Sequence, residues 1–211
     1  MSFVDITDRI HNRLLGTLPA QSAHELLRAK PNGTILPNFS HKLPPKPGAV
    51  LILLYEENGQ IKFPLIKRPT YTGAHSGQIS LPGGKAELDE DILQTALREG
   101  EEEIGVNSKD IKIIGTLSEF NVIPSNFLVT PVVATIDYVP RFIPDQHEVE
   151  RVLHGDVMEL VKEDAVREAE ILAAGMYPML APHFLIEGEI VWGATAMMLN
   201  EFRMIIRDVM R

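Results

Sequence analysis

The chain has 211 residues and 45% hydrophobic content, enough for one globular domain with a sizeable core. It holds no cysteine, which excludes a disulfide scaffold, a thiolate zinc site and a cysteine nucleophile. A formal net charge of −9 argues against a nucleic-acid partner, because phosphate neutralisation needs clustered Lys and Arg. No apolar run approaches the roughly 18 residues of a bilayer span, so no membrane partner is expected. The opening MSFVDITDRIHNRLL has neither the apolar stretch of a signal peptide nor the acid-poor make-up of a transit peptide, which makes the cytoplasm the default compartment.

The first 30 residues read as helical, with Ile6, Ile10, Leu14 and Leu15 at helical spacing and Ala23 to Ala29 continuing in the same style. PNGTILPNFSHKLPPKPG follows, with five prolines and two glycines, and reads as an irregular arm. The expected division is an N-terminal helical segment and proline-rich arm over 1–47 and a catalytic-type domain over 48–211. AVLILLYEE (49–57) reads as a buried strand, Asn58-Gly59 as a hairpin turn and IKFPLIKR as its partner. IKIIGTLSEF and FLVTPVVATIDYV read as two further strands. Glu148 to Val161 suits a strand, a helix or both in sequence, and the tail after Gly188 ends in a helix with a broad apolar side. Mixed α and β without a regular β-α-β rhythm points to an α/β fold other than a doubly wound sheet.

GGKAELDEDILQTALREGEEEIGV (83–106) carries the chemistry. A helix from about Asp91 to Ile104 places Leu93, Leu97, Gly100 and Ile104 on one stripe, taken as the buried face. Asp89, Glu90 and Asp91 suit the positive end of its dipole, and Gly105 suits its end. Glu99, Glu102 and Glu103 lie at i, i+3 and i+4, within reach of one another in the last turns. Like charges repel there and the dipole favours cations instead, so the cluster makes sense if hard divalent cations neutralise it.

The offsets resemble the Nudix box, G-x5-E-x7-R-E-U-x-E-E-x-G-U, with U a bulky apolar residue. Gly84, Glu90, Arg98-Glu99, Glu102-Glu103 and Gly105-Val106 fall in register, and Gly100 departs at the apolar position. The resemblance implies a Nudix-type α/β/α sandwich with a central mixed sheet, here with an added N-terminal helical segment. It implies that Glu99, Glu102 and Glu103 bind Mg2+, with Mn2+ as an alternative, and that Glu90 and Arg98 brace the box loop together with Gly105. It implies hydrolysis of a nucleoside diphosphate linked to another group by activated water. Glu102 or Glu103 would serve as base, with Glu148 from a loop as an alternative.

PLIKRPTYTGAHSGQISLPGG, upstream of the box, resembles the motif of the coenzyme A diphosphatase branch, with Leu65, Arg68, Gly77, Pro82, Gly83 and Gly84 in register. Coenzyme A or an acyl-coenzyme A is the implied substrate. Arg68, His75, Gly83, Gly84 and Lys85 are the expected substrate contacts. Gly73 stands where that motif has a second Arg, and Leu81 where it has Phe, which leaves ADP-ribose, nucleotide sugars and nucleoside triphosphates as alternatives. A non-catalytic ligand-binding module is the rival class. Ser125 and Asn126 suit a turn or a pocket lining, Trp192 and Phe184 suit core packing better than adenine stacking, and Met197-Met198 suit core or the seam of a homodimer.

Overall fold

The computed structural model describes residues 2–33, 39–70 and 76–211. In chain order the elements are α1 (Phe3–Leu14), α2 (Gln21–His24), β1 (Lys30–Pro31), β2 (Lys46–Glu57), β3 (Gln60–Lys67), β4 (Ile79–Ser80), β5 (Gly83–Lys85), α3 (Ile92–Ile104), β6 (Lys112–Thr116), β7 (Phe120–Val122), β8 (Phe127–Thr135), β9 (Arg151–Asp156), α4 (Val157–Leu160), β10 (Val166–Ala173), β11 (Tyr177–Ile186), β12 (Glu189–Val191) and α5 (Gly193–Val209). No described helix is long and apolar enough to cross a membrane.

The main sheet runs β4-β3-β2-β8-β6, with β5 on β2, β7 on β8 and β9 on β3. β2 pairs parallel with β8 and antiparallel with β3 and β5, so the sheet is mixed. β2 is apolar on both faces because both are covered, which is why its sequence runs without alternation. Leu51, Leu53 and Tyr55 face Ala96 and Ile104 of α3, whereas Ile52 and Leu54 belong to a core with Phe202, Ile205 and Ile206 of α5 and Ile10 and Leu14 of α1. The result is the α/β/α sandwich, with α3 on one side and α1 and α5 on the other.

Asn58 (φ 53°) and Gly59 (φ 77°) both adopt the left-handed conformation that a two-residue hairpin turn requires. The segment after Glu148 is strand and helix in succession, β9 then α4. The helix expected over the first 30 residues breaks: α1 ends at Leu14, a short turn of helix forms at Gln21–His24, and Leu15 is exposed. Pro19 stands between them, where it cannot continue a helix. The second piece is tied down by polar contacts, because buried Glu201 of α5 accepts from Ala20 N and the Ser118 hydroxyl and contacts His24 Nε2 at 3.0 Å. The long hairpin β10–β11, flanked by β1 and β12, had no clear signal in the sequence.

α3 is rotated from the expected phase. Leu93 is 38% exposed and Leu97 only partly buried, while Ala96, Gly100, Glu103 and Ile104 are buried. Small residues let the helix backbone approach the sheet, and a Cβ built on Gly100 would stand 2.8 Å from Leu51 Cδ2. The apolar group missing from the helix is thus supplied by the strand. Ala96→Leu is expected to overpack this contact and lower stability by roughly 1–3 kcal/mol in a denaturant titration, whereas Leu97→Ala should cost less.

Candidate functional site

Asp91 caps α3 reciprocally with Gln94, and Gly105 ends it in the left-handed conformation at φ 70°. A Cβ on Gly105 would lie 2.8 Å from both Cβ and the carbonyl oxygen of Ile143, so the following loop can pack against this end only over a glycine. That loop is hydrogen-bonded to the helix end: Ile143 N donates to Ile104 O at 2.9 Å and Asp145 N to Glu103 O at 3.0 Å. It carries Glu148.

The opposite wall is β5. Gly83 has φ 151°, and its N–H donates to Glu103 Oε2 at 2.7 Å. A Cβ on Gly84 would come within 2.4 Å of Glu99 Oε1, so the absent side chain is what admits the Glu99 carboxylate. The glycine pair thus lets two helix carboxylates close on the sheet edge.

The three clustered glutamates occupy three different environments. Glu103 is 1% exposed, Glu99 half-buried and Glu102 exposed. Burial pushes the Glu103 carboxyl up to about 7, against the opposing pull of Arg68 and the Gly83 N–H, with the charges of Glu99 and Glu148 adding to the rise. Burial also raises Glu99, though Arg98 opposes it. Helical spacing predicts all three carboxylates on one polar face; the rotation of α3 instead turns Glu103 inward. Arg68, one residue beyond β3, reaches Glu103 Oε1 with Nη2 at 3.5 Å. The expected role of Arg68 is a substrate phosphate contact, and its approach to Glu103 is an addition to that. The contact with a residue 35 positions on leaves no local signal, because it depends on how α3 packs on the sheet beside the end of β3.

Arg98 organises the remainder. It forks onto Glu90 at 2.8 and 3.0 Å, and its Nη1 bonds Glu99 Oε1 at 2.9 Å and Glu102 Oε2 at 2.8 Å. Its Nη2 also donates to the Lys85 carbonyl at 3.1 Å, tying helix to strand. The Arg98 guanidinium holds the Glu90 carboxyl down to about 2, below its ordinary 4.5. A depressed carboxyl contributes stability that is complete above pH 4.5 and is lost as pH falls towards 2. Glu90→Gln is therefore expected to lower the melting temperature near pH 7 and to shrink its gap from the parent protein across that acid window.

Lys85 ends β5 and is exposed, Gly83 and Gly84 line the wall, and His75 and Gly73 lie outside the described residues. Asn126 sits in a turn at φ 57° and its amide donates to the Leu43 and Pro44 carbonyls, so it fastens the proline-rich arm. Phe184, Met197 and Met198 are core, and Trp192 precedes α5 as its N-cap residue. Among the described residues no three acidic or histidine side chains converge closely enough to form a ready metal cage. The side chains around the cluster nevertheless supply hard carboxylate oxygens, the donor chemistry of magnesium and manganese.

Comparison with known proteins gives a consistent result. The family model of the NUDIX domain matches residues 45–182. Nudix hydrolase 15, mitochondrial, of Arabidopsis thaliana is 35% identical over 160 residues, covering 72% of this chain and 55% of the relative. Nudix hydrolase 22, chloroplastic, of the same plant is 36% identical over 163 residues, covering 74% and 53%. An uncharacterized Nudix hydrolase NudL of Pectobacterium atrosepticum is 29% identical over 149 residues, covering 68% and 74%. The chain spans about half the length of the two plant relatives.

Proposed function

Because this chain belongs to the NUDIX domain family, we propose that it hydrolyses a nucleoside diphosphate linked to another group, with a divalent cation, and that its substrate is coenzyme A or an acyl-coenzyme A. The observation that carries the catalytic reading is the fit of β5 to α3: Gly83 donates to Glu103, and Gly84 makes room for Glu99. A chain selected for stability alone has no use for a buried carboxylate held by one short hydrogen bond beside two others.

Glu99, Glu102 and Glu103 would hold the cation, Mg2+ in the first place and Mn2+ as its substitute. The chemistry such a cation would supply there is activation of water and offset of charge on the phosphate oxygens. Glu103, in its raised range, and Glu102, open to solvent, are the candidate bases. Glu148 adds a third carboxylate on the facing loop. Arg68, Lys85 and the backbone at Gly83 and Gly84 would meet the diphosphate, with His75 on the segment before them. The coenzyme A assignment rests on the motif leading into Gly83.

Mass analysis of products from coenzyme A, acetyl-coenzyme A, ADP-ribose, a nucleotide sugar and a nucleoside triphosphate tests the substrate. Coenzyme A cleaved to 3′,5′-ADP and phosphopantetheine ahead of the others is the expected result. A clear preference for ADP-ribose would move the substrate assignment and fit the glycine at position 73.

A further inference from the structure

The two arginines of the site are held in opposite ways. Arg98 makes five hydrogen bonds of 2.8 to 3.1 Å to Glu90, Glu99, Glu102 and the Lys85 carbonyl. It is a fixture of the box loop. The two contacts described for the Arg68 guanidinium, to Glu103 Oε1 and to the Gly83 carbonyl, are both 3.5 Å. Its side chain keeps 27% of its surface open, whereas that of Glu103 keeps 1%. Among the described residues its firm contact is a backbone one, with Arg68 N donating to Gln78 O at 3.0 Å.

The two oxygens of Glu103 are likewise unequal. Oε2 is committed to the Gly83 N–H at 2.7 Å, and Oε1 meets only the loosely held Arg68 among the described residues. Oε1 is therefore the oxygen that can change partners. A divalent cation at that oxygen would replace the guanidinium as its counter-charge and would repel it. An arginine released there, anchored at the strand end beside the glycine wall, offers a planar fork suited to a phosphate.

Resting on the metal site proposed above, we infer that Arg68 is an exchangeable counter-ion, which balances Glu103 until a divalent cation takes that carboxylate and then turns its freed guanidinium to the diphosphate. Cation and diphosphate then bind with positive coupling through one side chain. Lys67 cannot substitute, because its ammonium is engaged by Glu150 and Glu189.

The test separates binding of Mn2+ alone from binding of methylenediphosphonate, a diphosphate that is not hydrolysed, at saturating Mn2+. Calorimetry or the Mn2+ spin-resonance signal reads the first. Arg68→Met is expected to bind Mn2+ alone roughly three- to tenfold more tightly, because a competing positive charge is gone. It should bind methylenediphosphonate at least several-fold more weakly. Arg68→Lys keeps the charge and should hold Mn2+ near the parent affinity. Unchanged or weaker Mn2+ binding by Arg68→Met, with normal melting, would overturn the exchange. Tighter Mn2+ binding with unaltered methylenediphosphonate affinity would overturn the transfer to phosphate. Failure of the parent protein to bind Mn2+ at all would instead reject the metal site on which the inference rests.

Discussion

Glu103→Gln is expected to lower turnover by about a thousandfold or more while the protein becomes more stable at alkaline pH. Gln keeps the shape of Glu and an oxygen to accept the Gly83 N–H, so the clamp between β5 and α3 survives. What disappears is the negative charge that a cation needs. The stability effect follows from the sign of the shift. The carboxyl stands at about 7 in the fold, against an ordinary 4.5, so the unfolded chain ionises first and the fold loses stability as pH rises from 4.5 to 7. A neutral Gln removes that loss. Steady-state rates beside melting curves at pH 5 and pH 8 check both halves. Full turnover in the variant would reject Glu103 as a participant.

Gly83→Ala is expected to have the largest effect on stability, a loss of roughly 4 kcal/mol or more, or failure to fold. The added Cβ would lie 2.2 Å from Ala49 O and 2.6 Å from Val50 Cα, both backbone atoms of the central strand. No side chain can step aside to relieve this. The φ of 151° adds a conformational cost that only glycine escapes. Gly59→Ala is the control: at the hairpin turn, nothing lies within 4 Å of the new Cβ, so only the left-handed φ of 77° is charged, about 1 kcal/mol. Denaturant midpoints of the two variants should differ widely. Similar midpoints would mean that β5 is not pressed against β2 as described.

The elements that carry the site were legible because each has a local cause. The acids at Asp89 to Asp91 mark the start of α3 and Gly105 its end, and Asn58-Gly59 makes the hairpin through its φ angles. The phase of α3 was misread for an equally physical reason. Apolar spacing puts the bulky Leu93 and Leu97 on the buried stripe, but the closest approach to a sheet is made with small residues, Ala96 and Gly100. Leu93 was left outside as a result, and Glu103 was turned inside. The break at Leu15–Ala20 is not legible from spacing, because apolar residues continue at helical spacing on both sides of it. The hairpin β10–β11 was hidden because EAEILAAGMYPMLAPHFLI alternates weakly and contains two prolines, and its burial depends on β1 and the core at Phe184. The Arg68–Glu103 contact could not be read at all, since it forms only when α3 packs on the sheet beside the end of β3.

The most direct measurement is turnover of a coenzyme A and ADP-ribose mixture by the purified chain with Mg2+, with EDTA in its place, and with Glu103→Gln in Mg2+. Cleavage at a diphosphate that needs both the cation and Glu103 is the expected result. No cleavage by the parent chain under Mg2+ or Mn2+, or cleavage that persists in EDTA, would contradict the assignment of this carboxylate site as a metal-dependent hydrolase centre.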